Sequence, residues 1–409
     1  MMAERTDGTR WVVVHNGARD GYQLALALEE AGALEALVTD WYSPLDRAWF
    51  RALAPLLPRG ARASLARRFR PGLPSRRVRS RPAELARLRL GGTPHALDLR
   101  LGGYAGRLAA QRGAGVFAVS YYAHGAFTAP GAGRLPRLIH QIHPHPGSLR
   151  ALYLDEMRRV PGAASLADEY EVRVEAERFE QLSGEARMAD LCVASSGFTA
   201  RTLAENGVDP ARIRVVPYGV DLETLAPSLG RRSGPFRVLF VGQMVHRKGL
   251  AYLLEAWRSL GLAGAELVLA GRGGHDRALL SRYEGSFRLV GDVSPRALRE
   301  LYRASDVLCV PSLAEGFGLV YLEALACGTP VIGTVNTGAA DVVTEGEDGW
   351  VVDVRSAEAI AARLRWCHDH RDELAAMRPA ARRKAEGFTW ERFRRSVAAV
   401  AREAGGGRG

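Results

Sequence analysis

At 409 residues the chain is too long for one ordinary core, and two domains are the soft expectation. With 47% hydrophobic and 25% charged residues it has the balance of a folding globular protein, which excludes disordered and fibrous classes. The net charge of +11 is local: from Arg47 to Arg89 thirteen arginines face one acid, Glu84, and the remainder is close to neutral, so nucleic acid is not an expected partner.

No run approaches the roughly 18 apolar residues that span a bilayer. The polar opening, Met1 to Arg10, predicts no signal peptide. Cys192, Cys309, Cys327 and Cys367 lack short ligand spacing and lie in or beside apolar runs. They read as reduced thiols of a cytoplasmic protein and argue against zinc.

In chain order, Trp11–His15 reads as a strand and Tyr22–Glu30 as the helix after it. Val116–Tyr121 and Arg137–Ile142 follow as strands, Ala167–Met188 as one long helix, Leu191–Ala194 as a strand and Gly197–Asn206 as a helix. Val215–Pro217 then leads into Tyr218-Gly219-Val220-Asp221. From Leu222 to Gly234 a polar stretch with Pro227 and Gly230 predicts the linker between domains.

A second alternation begins with the strand Arg237–Val241 and continues through the helix Leu250–Leu260 and the strand Glu266–Ala270. The helix Pro295–Ala304 has Ser294 as its expected N-cap. Val307–Val310, Val331–Thr334 and Trp350–Val354 read as strands, and the chain from Ala357 onward as amphipathic helix. Short apolar runs alternating with helical segments predict two doubly wound parallel sheets facing a cleft, with the ligand at the carboxyl ends of the strands.

The most informative stretch runs from Pro311 through Glu315-Gly316-Phe317-Gly318-Leu319 to Glu323 and Gly328. A buried strand ends, a glycine-bearing loop follows, and a short helix begins. The free amides of Phe317, Gly318 and Leu319 sit where positive partial charge collects, which suits a diphosphate. Glu315 and Glu323 flank that element and can grip hydroxyls. Gly242-Gln243-Met244-Val245-His246-Arg247-Lys248-Gly249 also joins a strand to a helix, and it places two cations where phosphate oxygens are expected. Gly271-Arg272-Gly273-Gly274, with Val293 further on, leaves room for a base or ribose. No Asp-x-Asp occurs, so the common metal chelate for a nucleotide diphosphate is missing and no metal or other cofactor is expected.

In the first half, Asn16-Gly17-Ala18-Arg19-Asp20-Gly21 links strand to helix, with Gly17 and Gly21 suited to close approach by a ligand. The loop lacks the G-x-G-x-x-G pattern of dinucleotide binding. Three histidines, His140, His143 and His145, crowd one strand exit. His143 fits the position facing the cleft best, and His124 is a weaker candidate.

Taken together, Glu315-x7-Glu323 in its Glu-Gly-Phe-Gly setting, Arg247-Lys248-Gly249 and Tyr218-Gly219-Val220-Asp221 resemble glycosyltransferase family 4, the group 1 glycosyltransferases. The resemblance covers most of Ser195 to Trp366. It implies the two-Rossmann GT-B fold and transfer, with retention, from a nucleoside-diphosphate-sugar to an acceptor such as a glycan or lipid-linked glycan. It implies that Arg247 and Lys248 hold the diphosphate, that Glu315 with the amides after it holds the donor sugar, that Glu323 binds the ribose, and that His143 stands near sugar and acceptor. An acceptor-binding domain over 1–222, with an Arg-rich insertion at about 43–105, a donor-binding domain over 235–386 and a helix crossing back over 387–409 are expected. The intact residue set speaks against a silent nucleotide-sugar-binding scaffold. The Arg-rich segment interleaves Trp49, Phe50, Leu53, Leu56, Leu57, Leu65 and Phe69 with arginine. It reads either as a peripheral contact with anionic membrane or as a solvated insertion that can meet an anionic acceptor.

Overall fold

The computed structural model describes residues 8–227, 234–271 and 276–406. In the first half seven strands form one sheet: β1 (Trp11–Val14), β2 (Leu34–Thr39), β3 (Val78–Ser80), β4 (Gly115–Val119), β5 (Arg137–Gln141), β6 (Leu191–Ala194) and β7 (Ile213–Val215), in the order β3-β2-β1-β4-β5-β6-β7. The second half builds a six-stranded sheet from β8 (Phe236–Val241), β9 (Ala265–Ala270), β10 (Arg288–Gly291), β11 (Val307–Cys309), β12 (Val331–Thr334) and β13 (Gly349–Val352), ordered β10-β9-β8-β11-β12-β13. Every pairing in both sheets is parallel.

Central strands such as Val12-Val13-Val14 and Val238-Leu239-Phe240 are buried throughout, as expected of parallel strands with helices on both faces. Strand order reverses between β1 and β4 and again between β8 and β11, so the loops leaving those neighbours diverge and open a crevice at their carboxyl ends.

Most sequence expectations hold within a residue or two, and Ser294 caps its helix by accepting from the Ala297 amide at 3.2 Å. Ala167–Met188 is a correction. It is a 3-10 stretch ending at Asp168, a short helix Tyr170–Arg173, and then the helix Ala176–Met188. Tertiary contacts overrule the local helical pattern: Arg150 Nη2 donates to the carbonyls of Val172 and Val174, 3.2 Å each, and draws the backbone out between the two pieces. β2 is not among the strands read from sequence, because Leu-Glu-Ala-Leu suits a helix as well as a strand. Within 43–105, β3 and the helix Pro94–Arg112 belong to the sheet and its covering layer, and residues 48–67 stand outside both.

The C-terminal helix, Trp390–Gly406, returns to the first half. There Arg394 meets Glu30 at 2.7 Å and Gln23 at 2.9 Å, and Phe393 packs on Tyr218 and His140. A Cβ on Gly219 would lie 2.3 Å from the Trp390 nitrogen, so this glycine is fixed by the helix crossing.

In exchange, the first half lays residues 146–170 on the second. Leu149, Tyr153, Ala163, Leu166 and Phe198 form an apolar cluster with Leu313 and Ala314. Beside it Glu156, fully buried, accepts from Tyr252 Oη and Arg355 Nε at 2.6 Å each and lies 2.7 Å from His246 Nε2. Burial alone would raise this carboxyl, but hydrogen bonds from His246, Tyr252 and Arg355 hold it below its ordinary value.

A lowered native value stabilises the fold above the ordinary carboxylate range, and that contribution fades as pH falls through the native value. Glu156→Ala, which takes this acceptor from buried His246 and from the partly buried Tyr252 and Arg355, is expected to cost about 3–5 kcal/mol in denaturant unfolding. Glu156→Gln is expected to cost less and to flatten the acid limb of the stability curve; an unchanged acid limb contradicts the assignment.

Candidate functional site

One cavity of about 470 Å³ opens where the two reversals of strand order face each other, and its walls come from both halves. Asn16 and Arg19 enter from the loop after β1, Tyr121 and Tyr122 from β4, and His143 and Pro144 from β5. Arg247 and Lys248 follow β8, and Ala314, Glu315 and Gly316 follow β11.

Lys248 Nζ pairs directly with Glu315 Oε1, and Arg247 Nη1 stands 3.7 Å from the same oxygen. Ser312 Oγ donates to it at 3.2 Å. Burial pushes the Glu315 carboxyl up, yet Lys248 and Arg247 outweigh burial and hold it below its ordinary range. Arg247 Nε also meets Glu169 at 2.9 Å, and its Nη2 donates to Gln243. Two cations are thus kept at the mouth of a buried site by carboxylates that a diphosphate can replace as partners.

Gly249, in the left-handed region at φ 70°, explains how the Arg247-Lys248 turn gets so close to the next strand exit. A Cβ there would sit 1.8 Å from the Pro311 carbonyl oxygen. Gly316 is equally constrained, but by the other half of the molecule: its Cβ would lie 1.8 Å from the Ile142 carbonyl oxygen. Its own carbonyl accepts from Ser195 Oγ at 2.8 Å and Thr199 Oγ1 at 3.0 Å. The residue expected to admit a ligand therefore also seals the two halves together.

Of the three histidines, His143 alone lines the cavity, edge-on to Tyr121 at 5.4 Å. Burial, with Arg19 nearby, pushes it down to about 4. His140 is buried against Tyr218 and Phe393, and His145 caps its own helix by accepting from the Gly147 amide at 3.0 Å. His124 lies outside the cavity lining, its amide bound to Glu185 at 3.0 Å.

None of the remaining predicted residues that the structure describes lines this cavity. The Gly17 amide donates to Asp40 Oδ1 at 2.8 Å, and Gly21 faces Arg70. Gly242 lies against the Lys248 stem. Phe317 is buried on Tyr218, so only its backbone can serve a ligand. Among the described residues the amides of Phe317, Gly318 and Leu319 have no acceptor, and Leu319 opens the helix Leu319–Ala326. Glu323, further along that helix, accepts from Tyr302 Oη at 2.7 Å, and burial raises its carboxyl. Val293 lines a separate cavity with Val290, Ala297 and Leu301. Arg272 lies outside the described residues.

Several cavity residues escape the sequence reading. Arg19 brings a third cation, from the first half, and its Nε is buried without a hydrogen-bond partner. Asp98, which burial pushes up to about 7 against the pull of Arg178, and Glu169 and Glu171 add carboxyls. The last two sit where a continuous helix is expected, and they become visible only once that helix breaks. Among the described residues no group of three or more His, Cys, Asp or Glu is arranged to hold a metal ion.

Comparison with known proteins agrees with this architecture. The family described as Glycosyltransferase Family 4 matches residues 22–224, and the family Glycosyl transferases group 1 matches 221–384. The chain belongs to these group 1, family 4 glycosyltransferases, and its fold is GT-B.

A D-inositol 3-phosphate glycosyltransferase of Rhodococcus erythropolis is 37% identical over 226 residues, 50% of this chain and 51% of that one. Its counterpart from Geodermatophilus obscurus is 34% identical over 275 residues, 58% and 57% of the two chains. The chain thus spans little more than half the length of these relatives. Sucrose-phosphate synthase from Thermosynechococcus elongatus shares the fold at a TM-score of 0.67 and 20% identity, over 97% of this chain and 98% of that one. Anabaena HepE in complex with UDP-glucose does so at 0.62 and 16%, over 96% and 98%.

With its native value near 4, His143 is expected to stay neutral from pH 8 to pH 5. Ring-nitrogen NMR of the folded protein checks this, and a midpoint near the ordinary 6.5 contradicts the burial described here.

Proposed function

We propose that the chain is a retaining, metal-independent glycosyltransferase that moves a sugar from a nucleoside-diphosphate-sugar to an acceptor hydroxyl on a glycan or lipid-linked glycan. The observation that carries the reading is the convergence of Arg247, Lys248 and Glu315, from two strand exits of the second sheet, on the cavity that His143 enters from the first. The named activity of the inositol-phosphate relatives supports sugar transfer, and the UDP-glucose bound by HepE supports a nucleotide-sugar donor.

In this reading the bond from the anomeric carbon to the phosphate oxygen breaks, and its electron pair leaves with the diphosphate. The acceptor oxygen bonds to that carbon from the same face and passes its proton to the departing phosphate. Arg247, Lys248 and the amides of Phe317, Gly318 and Leu319 meet the growing charge, preorganised before the donor arrives. Glu315, ionised between its two cations, orients sugar hydroxyls. Glu323 holds the ribose, and the carboxyl that now takes the Tyr302 hydroxyl has a second oxygen for that purpose. Neutral His143 offers a hydrogen bond without adding repulsion to the cationic side of the site.

A panel of nucleotide-sugars and nucleoside diphosphates in the presence of EDTA, read by thermal shift and donor hydrolysis, tests the proposal. One nucleoside diphosphate is expected to stabilise the protein, and Lys248→Ala and Glu323→Ala are each expected to weaken it at least about ten-fold, the worth of one charged hydrogen bond. Binding only with added metal, or unweakened binding by both variants, sinks the site assignment. Binding without turnover on any acceptor identifies a silent scaffold instead.

A further inference from the structure

Residues 48–67 form an arm that the cavity does not use. It consists of the helix Ala48–Leu53, a 3-10 turn Ala54–Leu56 and the helix Arg59–Arg67, and none of these three elements buries a single residue. Neither short helix is stable alone in water, since helices of this length need a packed face. Yet the arm holds apolar side chains outward: Trp49 is 59% exposed, Leu53 54%, Leu56 79% and Leu57 40%. These are four of the eight large hydrophobic residues exposed on the described chain, gathered within nine positions.

Arginines frame them. Arg51, Arg59, Arg62 and Arg67 are exposed, and from Arg47 to Ala83 the sequence contains no acid. The surface is therefore cationic and apolar at once, with no carboxylate of its own to neutralise it. A protein partner would answer the apolar groups and a nucleic acid the charge, whereas an anionic bilayer answers both, with phosphates at the arginines and acyl chains beneath the leucines.

The base of the arm fixes where that surface lies. Arg68 holds both oxygens of Asp40, at 2.8 and 3.0 Å, and Asp40 accepts the Gly17 amide from the loop beside the cavity. Tyr42 Oη donates to the Leu73 carbonyl at 2.7 Å and accepts the Arg70 amide at 3.1 Å. The arm thus springs from the carboxyl end of the first sheet, the end at which the cavity opens.

We propose that this arm docks the protein on an anionic lipid surface, with Trp49, Leu53, Leu56 and Leu57 entering the interface and the arginines pairing with headgroup phosphates. The inference stands independently of the sugar-transfer reading, because it rests on residues outside the cavity.

Co-sedimentation of the full chain with vesicles tests it. Vesicles with phosphatidylglycerol are expected to bind the protein at least ten-fold better than pure phosphatidylcholine, and raising the salt is expected to weaken that binding. Arg59→Glu with Arg62→Glu is expected to weaken it at least twenty-five-fold, from about five-fold for each arginine charge lost. Leu56→Asp, which removes an apolar contact and adds an acid, is expected to weaken it too, and Trp49 fluorescence is expected to shift to the blue on binding. All variants are expected to keep the parent's melting temperature and nucleoside-diphosphate binding. Equal binding to both vesicle types, indifference to Leu56→Asp, tighter binding to a single-stranded RNA than to the anionic vesicles, or burial of the arm in a dimer in solution each overturns the proposal.

Discussion

The carboxyl edges of two parallel sheets face each other across this molecule, and the chemistry available to it depends on how firmly that opposition is held. Buried charge does much of the holding. Glu156 leaves the first half on the helix that begins just beyond His143, and it ends among His246, Tyr252 and Arg355 of the second. His246 immediately precedes Arg247 and Lys248. A displacement of the first half's helix therefore moves the loop that carries both cations, and the apolar cluster around Leu149 and Leu313 keeps water away from the linkage. At Gly316 the halves come so close that one methyl group would part them. The site is assembled by the interface, not merely situated beside it.

That arrangement also explains how so many charges coexist in a confined space. Arg247 lies between Glu169 of the first half and Glu315 of the second, and Lys248 completes the second pair. Burying either cation alone, or the carboxylates without them, would be costly. Each carboxylate lets the cations be in place before any ligand arrives, at the expense of a competition that the ligand must win. In the proposed reading the ligand is a diphosphate, which brings more charge and more oxygens to that competition than one carboxylate does.

The sequence is most legible where backbone geometry and chemistry coincide. Glycine-bearing strand exits at Gly242–Gly249 and Pro311–Leu319 carry their own signal, and the structure brings the residues read from them to one place. The first half is less legible because its contributions are tertiary. Glu169 and Glu171 reach the cavity only after the Arg150 guanidinium has interrupted a helix that local propensity favours. Arg19 looks like any loop arginine until burial isolates its Nε. Among the histidines, spacing alone points to His143, while the reason His140 turns inward, a C-terminal helix some 250 residues later in the chain, is not readable nearby.

Backbone strain follows the same division. Four non-glycine residues have positive φ among the described positions, and three of them, Asp20, Tyr22 and Tyr121, belong to the first-half loops around the cavity. Such conformations cost of order 1–3 kcal/mol each and persist only where neighbours over-determine them. Here they are over-determined. Tyr22 is buried edge-on to Tyr42, and the Asp20 carboxyl faces the Tyr218 hydroxyl. Tyr121 is fixed at three points: its amide donates to Glu185, its hydroxyl to Glu171, and its carbonyl accepts from Arg178. The fourth, Arg355, is held by Glu156 itself. At Gly242, Gly249 and Gly318 the strand exits of the second half turn on glycine, whereas the first-half loops add Asp20, Tyr22 and Tyr121 to Gly17 and Gly21, and these side chains are clamped into strained conformations. A wall built that way is set by its partners residue by residue: the Glu171 that takes the Tyr121 hydroxyl stands two positions from the Glu169 that pairs with Arg247, so the strained wall and the cations of the second half are positioned together.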